Sequence, residues 1–356
     1  MSKKFDYIDA LRGLAIFMVI VLHTAQYGTL IPSTLLNRIL SNGARGVQLF
    51  FVASAFTLFL SYNNRKQEQN ETFNFFIRRF FRIAPMYYLG ILFFSLVTDK
   101  ATTGSVISNI FFIHGLHPDW VAQLVPGGWS ISVEMLFYCL VPLMVKKINT
   151  LNKVIYLFIG AVVFNYLFQS IFSHYSDSKT WENFLFLSFP NHFPVFAFGI
   201  AAYLLIIKKD HQVGAKPLIF LALLLTAHVI LVNVFSNIVL SGIAFMVLLI
   251  SLSKRQFKIL VNPFFSYLGK ISYSSYLVHF AVLQGLERLH FVNFLGVSNL
   301  PTGIINYSIR FALVLGSTIV IASFFYRFVE LPMQKIGRNI IKLFTPSELH
   351  TQPERL

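Results

Sequence analysis

Two ionisable side chains, Arg12 and His23, lie within the first long apolar segment of the chain, eleven positions apart. On a helix this spacing places both on one side, with a rise of about 16 Å between them. Because an ionisable group inside a membrane span is costly unless it faces a partner or a cavity, the pair marks a candidate functional site. His23 could act as a general base near neutral pH. The structural alternative is a histidine hydrogen-bonded between helices.

Arg12 has three possible roles at the start of this segment. It could anchor an anionic ligand, form a helix-neighbour ion pair with Asp9, or extend to the membrane surface. Since Arg12 and His23 share a face, we expect polar chemistry along that side of the first helix.

A carboxylate lies in a later apolar segment, which opens with Trp129 and Ser130. A spacing of four places Ser130, Glu134 and Tyr138 along one helix face. We expect Glu134 at a depth close to that of His23, where it could orient and stabilise the imidazole, as carboxylates do in hydrolytic triads. The alternative is a structural carboxylate satisfied by serine and tyrosine hydroxyls.

The densest arginine cluster precedes the third predicted span. Arg79 and Arg82 are three residues apart and would share a face if a helix begins here, with Pro85 in its first turn. Guanidinium groups suit phosphates, so binding of nucleotide phosphates is one interpretation. A topology signal combined with binding of anionic lipids is the other.

A further polar stripe is formed by Tyr273, Tyr276 and His279, which recur at every third position. On a helix these side chains lie on one face. They could line a substrate pocket or form a satisfied network between helices.

The composition assigns the chain to the membrane proteins. It has 356 residues, of which 56% are hydrophobic and 12% charged, and its mean hydropathy is +0.66. Soluble proteins carry about twice this charged fraction. A single cysteine, Cys139, excludes an intrachain disulfide and a cysteine metal cluster, and no zinc-ligand spacing is present, so no metal is expected. The net charge of +15 lies in short loops between apolar runs, which argues against nucleic acid as a partner and favours membrane lipids.

The apolar runs predict an all-α polytopic membrane protein with about ten transmembrane helices and both termini cytoplasmic. Spans are predicted near 8–27, 45–62, 83–98, 129–146, 153–172, 190–207, 217–235, 237–252, 267–288 and 307–329. With this layout the outward loops hold few basic residues, namely Arg38, Lys100 and Lys179, as the positive-inside rule requires. The segment 104–117 is predicted to be re-entrant or to lie on the surface. Residues 1–342 are expected to form one membrane domain, and 343–356 a short cytoplasmic tail.

Taken together, several segments resemble the acyltransferase 3 family, the bacterial integral-membrane O-acyltransferases that modify surface glycans. The matching segments are 8–15 with His23, 46–56, 79–85, 129–134, 268–279 and 329–332. The resemblance implies a core of about ten helices, an arginine and a histidine like Arg12 and His23, and an arginine pair like Arg79 and Arg82. Two departures are Gln48, where many members have aspartate or proline, and Ala55, where many have glycine.

The resemblance also implies a function for a protein integral to the cytoplasmic (inner) membrane. Acyl-CoA, with acetyl-CoA as the first choice, would be the donor substrate, and no cofactor would be bound. Its phosphates would dock from the cytoplasm near Arg79, Arg82 and Arg12. His23 would then deprotonate a sugar hydroxyl that attacks the thioester, or would relay the acyl group itself. The acceptor would be a lipid-linked sugar or an exported polysaccharide.

The remaining site residues are expected to shape the substrate pocket. These are Trp129, Ser130, Tyr273 and His279, with Glu134 beside His23. Two other functions stay open. Ten spans with intramembrane charges also describe secondary transporters, although we find no internal repeat. A non-catalytic partner in a polysaccharide-assembly complex is the third possibility.

Overall fold

The computed structural model describes residues 5–99, 101–175, 178–208, 216, 219, 223 and 238–344. Within these residues the regular structure is helical. The α-helices are α1 (Asp6–Gln26), α2 (Thr34–Ser41), α3 (Gly46–Asn63), α4 (Glu71–Val97), α5 (Thr103–Ile110), α6 (Gly128–Lys147), α7 (Leu151–Phe172), α8 (Lys179–Leu187), α9 (Phe189–Lys208), α10 (Ile238–Lys254), α11 (Pro263–Lys270), α12 (Ser272–Arg288), α13 (Leu300–Phe325) and α14 (Leu331–Phe344). Short 3₁₀ turns occupy Asn42–Arg45, His114–Leu116 and Ser173–Tyr175, and a π-helical turn occupies Tyr326–Glu330.

Seven stretches of the described helices are long and apolar enough to cross a membrane. These are Asp6–Gln26, Thr34–Asn63, Glu71–Val97, Gly128–Lys147, Leu151–Tyr175, Lys179–Ile207 and Leu300–Phe344. The all-helical polytopic class is thereby confirmed, while the number of spans and the side of the termini stay predictions. The predicted span 217–235 lies outside the described residues, apart from 219 and 223. The predicted span 267–288 is divided between α11 and α12.

Helix α4 begins earlier than predicted and changes the setting of the arginine cluster. It starts at Glu71 rather than near residue 83, so Arg79 and Arg82 lie well inside the helix. The expectation that Pro85 occupies a first turn is therefore wrong, since this proline is internal to α4. The physical reason is that the apolar window detects the membrane-buried part of a helix, whereas α4 also has a polar N-terminal part. There Arg78 pairs with Glu68 at 2.9 Å.

The segment 104–117 forms α5 and a 3₁₀ turn, both too short to span a membrane. Buried hydrogen bonds attach it to α4 and α6. The Tyr87 hydroxyl donates to Oδ1 of Asn109 at 2.6 Å, and Oγ of Ser132 donates to the Phe112 carbonyl at 2.7 Å. Satisfied polar groups therefore hold this non-spanning segment in place.

The chain divides into two compact units. One unit, named the α1 unit, comprises the described residues of Phe5–Ala53 and Leu205–Phe324. The other, named the α4 unit, comprises those of Ser54–Leu204 and Phe325–Phe344. The predicted tail 343–356 lies outside the described residues after Phe344.

In the α1 unit, helices α1 and α11 pack with their backbones in direct contact. A Cβ atom added at Gly13 of α1 would overlap the carbonyl oxygen of Phe265, and one added at Gly269 of α11 would overlap the carbonyl oxygen of Asp9. Glycine permits this approach because it has no side chain, as in close helix pairs of membrane proteins generally. Since α12 follows α11 after Ile271, the contact also fixes where α12 begins relative to α1.

Replacing Gly269 with alanine tests this constraint. Gly269→Ala should lower the free energy of unfolding by about 1–3 kcal/mol, because the new methyl group must displace backbone. The measurement is the Tm of the detergent-solubilised protein. Gly316→Ala on α13 is the matched control, since a Cβ there has no neighbour within 4 Å. Equal Tm values for both variants would contradict the close contact.

Candidate active site

His23 and His279 form a hydrogen-bonded pair within the α1 unit. Nδ1 of His23, near the end of α1, lies 3.0 Å from Nε2 of His279 on α12. The two rings stack with centroids 5.1 Å apart. His279 is fully buried, whereas His23 is half-buried. The structure therefore brings together two residues that the sequence placed in separate candidate sites.

The backbone around His279 determines how protons are arranged in the neutral pair. Nδ1 of His279 lies 3.1 Å from the carbonyl oxygen of Ser275, which can only accept a hydrogen bond. Nδ1 of His279 must therefore carry the proton, and its Nε2 must be the acceptor. It follows that Nδ1–H of His23 donates to His279 and that Nε2 of His23 retains a lone pair. Among the described residues no hydrogen bond to this Nε2 is found.

Aromatic rings surround the histidine pair. The Phe280 ring lies 4.4 Å from the His23 ring and 4.1 Å from the His279 ring, centroid to centroid. Tyr276 contacts His279 at 5.8 Å and packs edge-on against Phe50 at 6.2 Å. This packing restricts ring rotation, so the lone pair of His23 Nε2 keeps a fixed direction. Tyr273, one turn earlier on α12, is half-buried.

Arg310 holds the end of α1 that carries His23, and the sequence analysis did not single it out. Its Nε donates to the Thr24 carbonyl at 3.0 Å and its Nη1 to the Val292 carbonyl at 2.6 Å. The side chain is 1% exposed. Arg310 could have been identified from the sequence, since it lies inside the apolar run of α13. A charged group there needs a polar partner.

Arg12 lies eleven residues, or about three turns, before His23 on the same helix. Its Nη1 is 4.0 Å from Oδ1 of Asp9, a long ion pair between helix neighbours. Both side chains are partly exposed, so this pair contributes little to stability. Arg12 thus lies at the start of α1, on the helix that carries His23.

Glu134 belongs to a second polar network, within the α4 unit. Its Oε1 accepts hydrogen bonds from the Ser54 hydroxyl at 2.5 Å and from the Tyr138 hydroxyl at 2.7 Å. The serine that satisfies the carboxylate is thus Ser54 of α3, not Ser130. Ser130 instead donates to the Gly127 carbonyl at 3.0 Å. Ser54 lies 80 positions from Glu134, and no local sequence spacing could have revealed it.

The arginines of α4 lie next to this network. The Arg79 guanidinium stands 5.6 Å from the centre of the Phe75 ring and 5.9 Å from that of Tyr138. Arg79 and Arg82 both interact electrostatically with Tyr138. Contacts with aromatic faces stabilise a guanidinium in an apolar setting without neutralising it. Both arginines therefore lie near Tyr138, which donates a hydrogen bond to Glu134.

Trp129, the remaining predicted site residue of the α4 unit, packs against His192 with tilted rings whose centroids are 4.8 Å apart. The predicted approach of Glu134 to His23 stays a prediction, since these residues belong to different units. What the structure does give is the partner of His23 Nδ1, which is His279. No group of three or more side chains that could hold a metal ion occurs in the described part of the chain.

These features define a helical, multi-pass membrane protein with polar networks buried among apolar helices. The chain belongs to the acyltransferase 3 family, because the sequence model of this family, described as "Acyltransferase domain", matches residues 5–327.

Two curated relatives carry acyltransferase names. "Acyltransferase MdmB" of Streptomyces mycarofaciens is 27% identical over 162 positions, which cover 41% of each chain. A Staphylococcus aureus (strain COL) protein, SACOL0978, named as a candidate O-acetyltransferase, is 24% identical over 382 positions, covering 94% of this chain and 58% of its own. The chain thus spans about half the length of the curated relatives that it matches. No solved structure matches the chain.

Proposed function

We propose that this protein is a membrane O-acyltransferase that moves an acyl group, acetyl in the first instance, from acyl-CoA to a hydroxyl of a cell-surface polysaccharide or lipid-linked sugar. The observation that carries the proposal is the hydrogen bond from His23 to His279, which leaves Nε2 of His23 as a base. The family membership and the names of the relatives supply the reaction class.

The reaction follows from the arrangement of the pair. Nε2 of His23 takes the proton of the acceptor hydroxyl, and the oxygen attacks the thioester carbonyl. The resulting imidazolium keeps its Nδ1–H bond to His279, which therefore plays the orienting part that a carboxylate plays in a Ser-His-Asp triad. On collapse of the tetrahedral intermediate the C–S bond breaks, and His23 returns the proton to the thiolate. The products are the O-acyl ester and free CoA.

The donor is proposed to bind through its phosphates to Arg79 and Arg82, with a contribution from Arg12. Guanidinium groups suit phosphate oxygens, and the Arg79 guanidinium lies over the rings of Phe75 and Tyr138. The Glu134 carboxylate accepts hydrogen bonds from two hydroxyl groups. We assign it the role of holding Tyr138 beside Arg79. Trp129, Ser130 and Tyr273 are proposed to line the substrate path. The protein would be integral to the cytoplasmic (inner) membrane, with both termini inside.

Removal of the base should abolish transfer. His23→Ala is expected to lower acylation by at least about 100-fold, the usual contribution of a general base. The measurement is release of CoA thiol from acetyl-CoA by the purified protein, alongside alkali-labile acetate on surface polysaccharide of a complemented deletion strain. His174→Ala is the control, since that histidine is exposed. Normal transfer by His23→Ala at matched membrane levels would remove His23 from the mechanism. Substrate uptake without thioester consumption would favour a transporter.

Substitutions of His279 distinguish a role in orienting the His23 ring from a role in packing alone. His279→Leu keeps an apolar side chain but removes the acceptor for His23 Nδ1–H, so kcat should fall by about 100-fold or more while KM changes little. His279→Gln offers an amide oxygen as acceptor and should restore part of the loss. Equal activity of both variants would show that His279 acts through packing alone.

Loss of an α4 arginine should weaken donor binding rather than the chemical step. Arg79→Ala is expected to raise the KM for acetyl-CoA by about tenfold or more, because a charge-assisted hydrogen bond contributes about 1.5–3 kcal/mol. Arg65→Ala serves as the comparison, since Arg65 makes a surface ion pair with Glu68 at 3.4 Å. An unchanged KM in Arg79→Ala would assign the α4 arginines to membrane topology.

A further inference from the structure

A cavity of about 230 Å³ lies within the α1 unit, between α1, the 3₁₀ turn Asn42–Arg45 and α10. Its wall is almost wholly apolar. The lining includes Phe17 and Val21 of α1, Ala244 and Phe245 of α10, Ile39 of α2, and Arg45. Ile39 is 42% exposed, so the cavity reaches the surface beside α2. A space of this size is smaller than the pockets of about 300–1,000 Å³ that hold drug-sized ligands, and it suits a slender apolar segment.

The cavity is separate from the candidate active site. Its α1 wall consists of residues spaced by three and four positions, from Leu14 to Val21. At about 100° per residue, these side chains point roughly half a turn away from Arg12 and His23. The same helix therefore presents its polar face to the histidine pair and its opposite face to the cavity.

Arg45 lies at a break in a membrane span. The stretch Thr34–Asn63 is apolar enough to cross a membrane, but the 3₁₀ turn Asn42–Arg45 interrupts it. Added Cβ atoms at Gly43 and Gly46 would overlap the carbonyl oxygens of Met18 and Ala15. The break therefore packs closely against the middle of α1, about 15 Å from either end of that helix. Arg45 is consequently held at the depth of the hydrocarbon core.

Arg45 is 6% exposed as a whole residue, and it lines the cavity. In the described ranges, no carboxylate lies within ion-pair distance of it and no side-chain hydrogen bond of Arg45 is found. A charged group at this depth is costly without a partner. Broken spans commonly direct positive charge toward an anionic ligand. A ligand with both an anionic group and an apolar part would therefore match Arg45 and the apolar wall of the cavity.

We propose that this cavity binds one hydrocarbon chain of a phosphate-bearing membrane lipid and that the lipid phosphate pairs with Arg45. The apolar wall matches the chain, and a guanidinium matches phosphate oxygens in shape and charge. Ile39 is exposed beside the cavity and belongs to a stretch apolar enough to cross a membrane, so a lipid chain could enter there. An arginine within a bilayer draws headgroups inward by local thinning, which brings the phosphate to this depth.

The test is lipid binding by the purified full chain, measured by native mass spectrometry during titration. The phosphate lipids are phosphatidylglycerol and a polyprenyl phosphate, whose relative affinities identify the source. Diacylglycerol with the same chains lacks the phosphate, and inorganic phosphate lacks the chain. We expect the preferred phosphate lipid to bind at least about tenfold more tightly than diacylglycerol, since hydrogen bonds to charged groups contribute about 1.5–3 kcal/mol. Inorganic phosphate should neither compete with it nor raise the Tm.

Two variants test the two halves of the site. Arg45→Gln removes the charge and should abolish the preference for phosphate lipids over diacylglycerol. Ala244→Leu fills the cavity and should weaken both lipids while keeping Arg45, so it carries the test if Arg45→Gln fails to fold. Arg38→Gln, at an exposed position of α2, is the control. Wild-type lipid affinity in either test variant, or a Tm increase from inorganic phosphate alone, would overturn the proposal.

This site makes no use of His23. His23→Ala should therefore bind the lipid with wild-type affinity, whatever the transfer assays give, so failure of the lipid site and failure of the proposed function are separable.

Discussion

Backbone contact between α1 and α11 governs the position of the histidine pair. Gly13 and Gly269 each face a carbonyl oxygen of the other helix, at a separation that admits no Cβ atom. Because α12 continues from α11 after Ile271, this contact sets the level at which α12 passes α1. His279 can then meet His23 at hydrogen-bonding distance. In a membrane protein such packing carries much of the specificity, since lipid tails offer no hydrophobic driving force between helices.

A second constraint is that each polar group within an apolar helix needs a partner. Glu134 accepts two hydroxyl donors, Arg310 donates to two backbone carbonyls, and Arg79 lies over aromatic rings. These contacts lower the free-energy cost of keeping charged groups in the apolar region. Arg45 differs, because its surroundings in the described residues are an apolar cavity rather than a carboxylate or a carbonyl. That contrast is the basis for assigning it an external anionic ligand.

The proposed chemistry uses the two faces of α1 for different purposes. The face with Arg12 and His23 provides a charge and a base, and the histidine pair supplies the directional hydrogen bond that a catalytic imidazole requires. The opposite face of α1 provides an apolar wall for a lipid chain. Such a division suits the proposed reaction, since polar substrates and lipid chains need different surroundings.

The membrane class, the family resemblance and the contacts that follow helical periodicity can all be read from the sequence. The approach of Tyr138 to Glu134 is of this kind, because residues four apart are neighbours on any helix. Partners that belong to different helices become visible only in the folded chain. His279 is 256 positions from His23, Ser54 is 80 positions from Glu134, and Arg310 reaches the end of α1 from α13. Periodicity fixes which way a side chain points within its own helix, whereas its partner depends on which helices pack together and how closely their glycines allow them to approach.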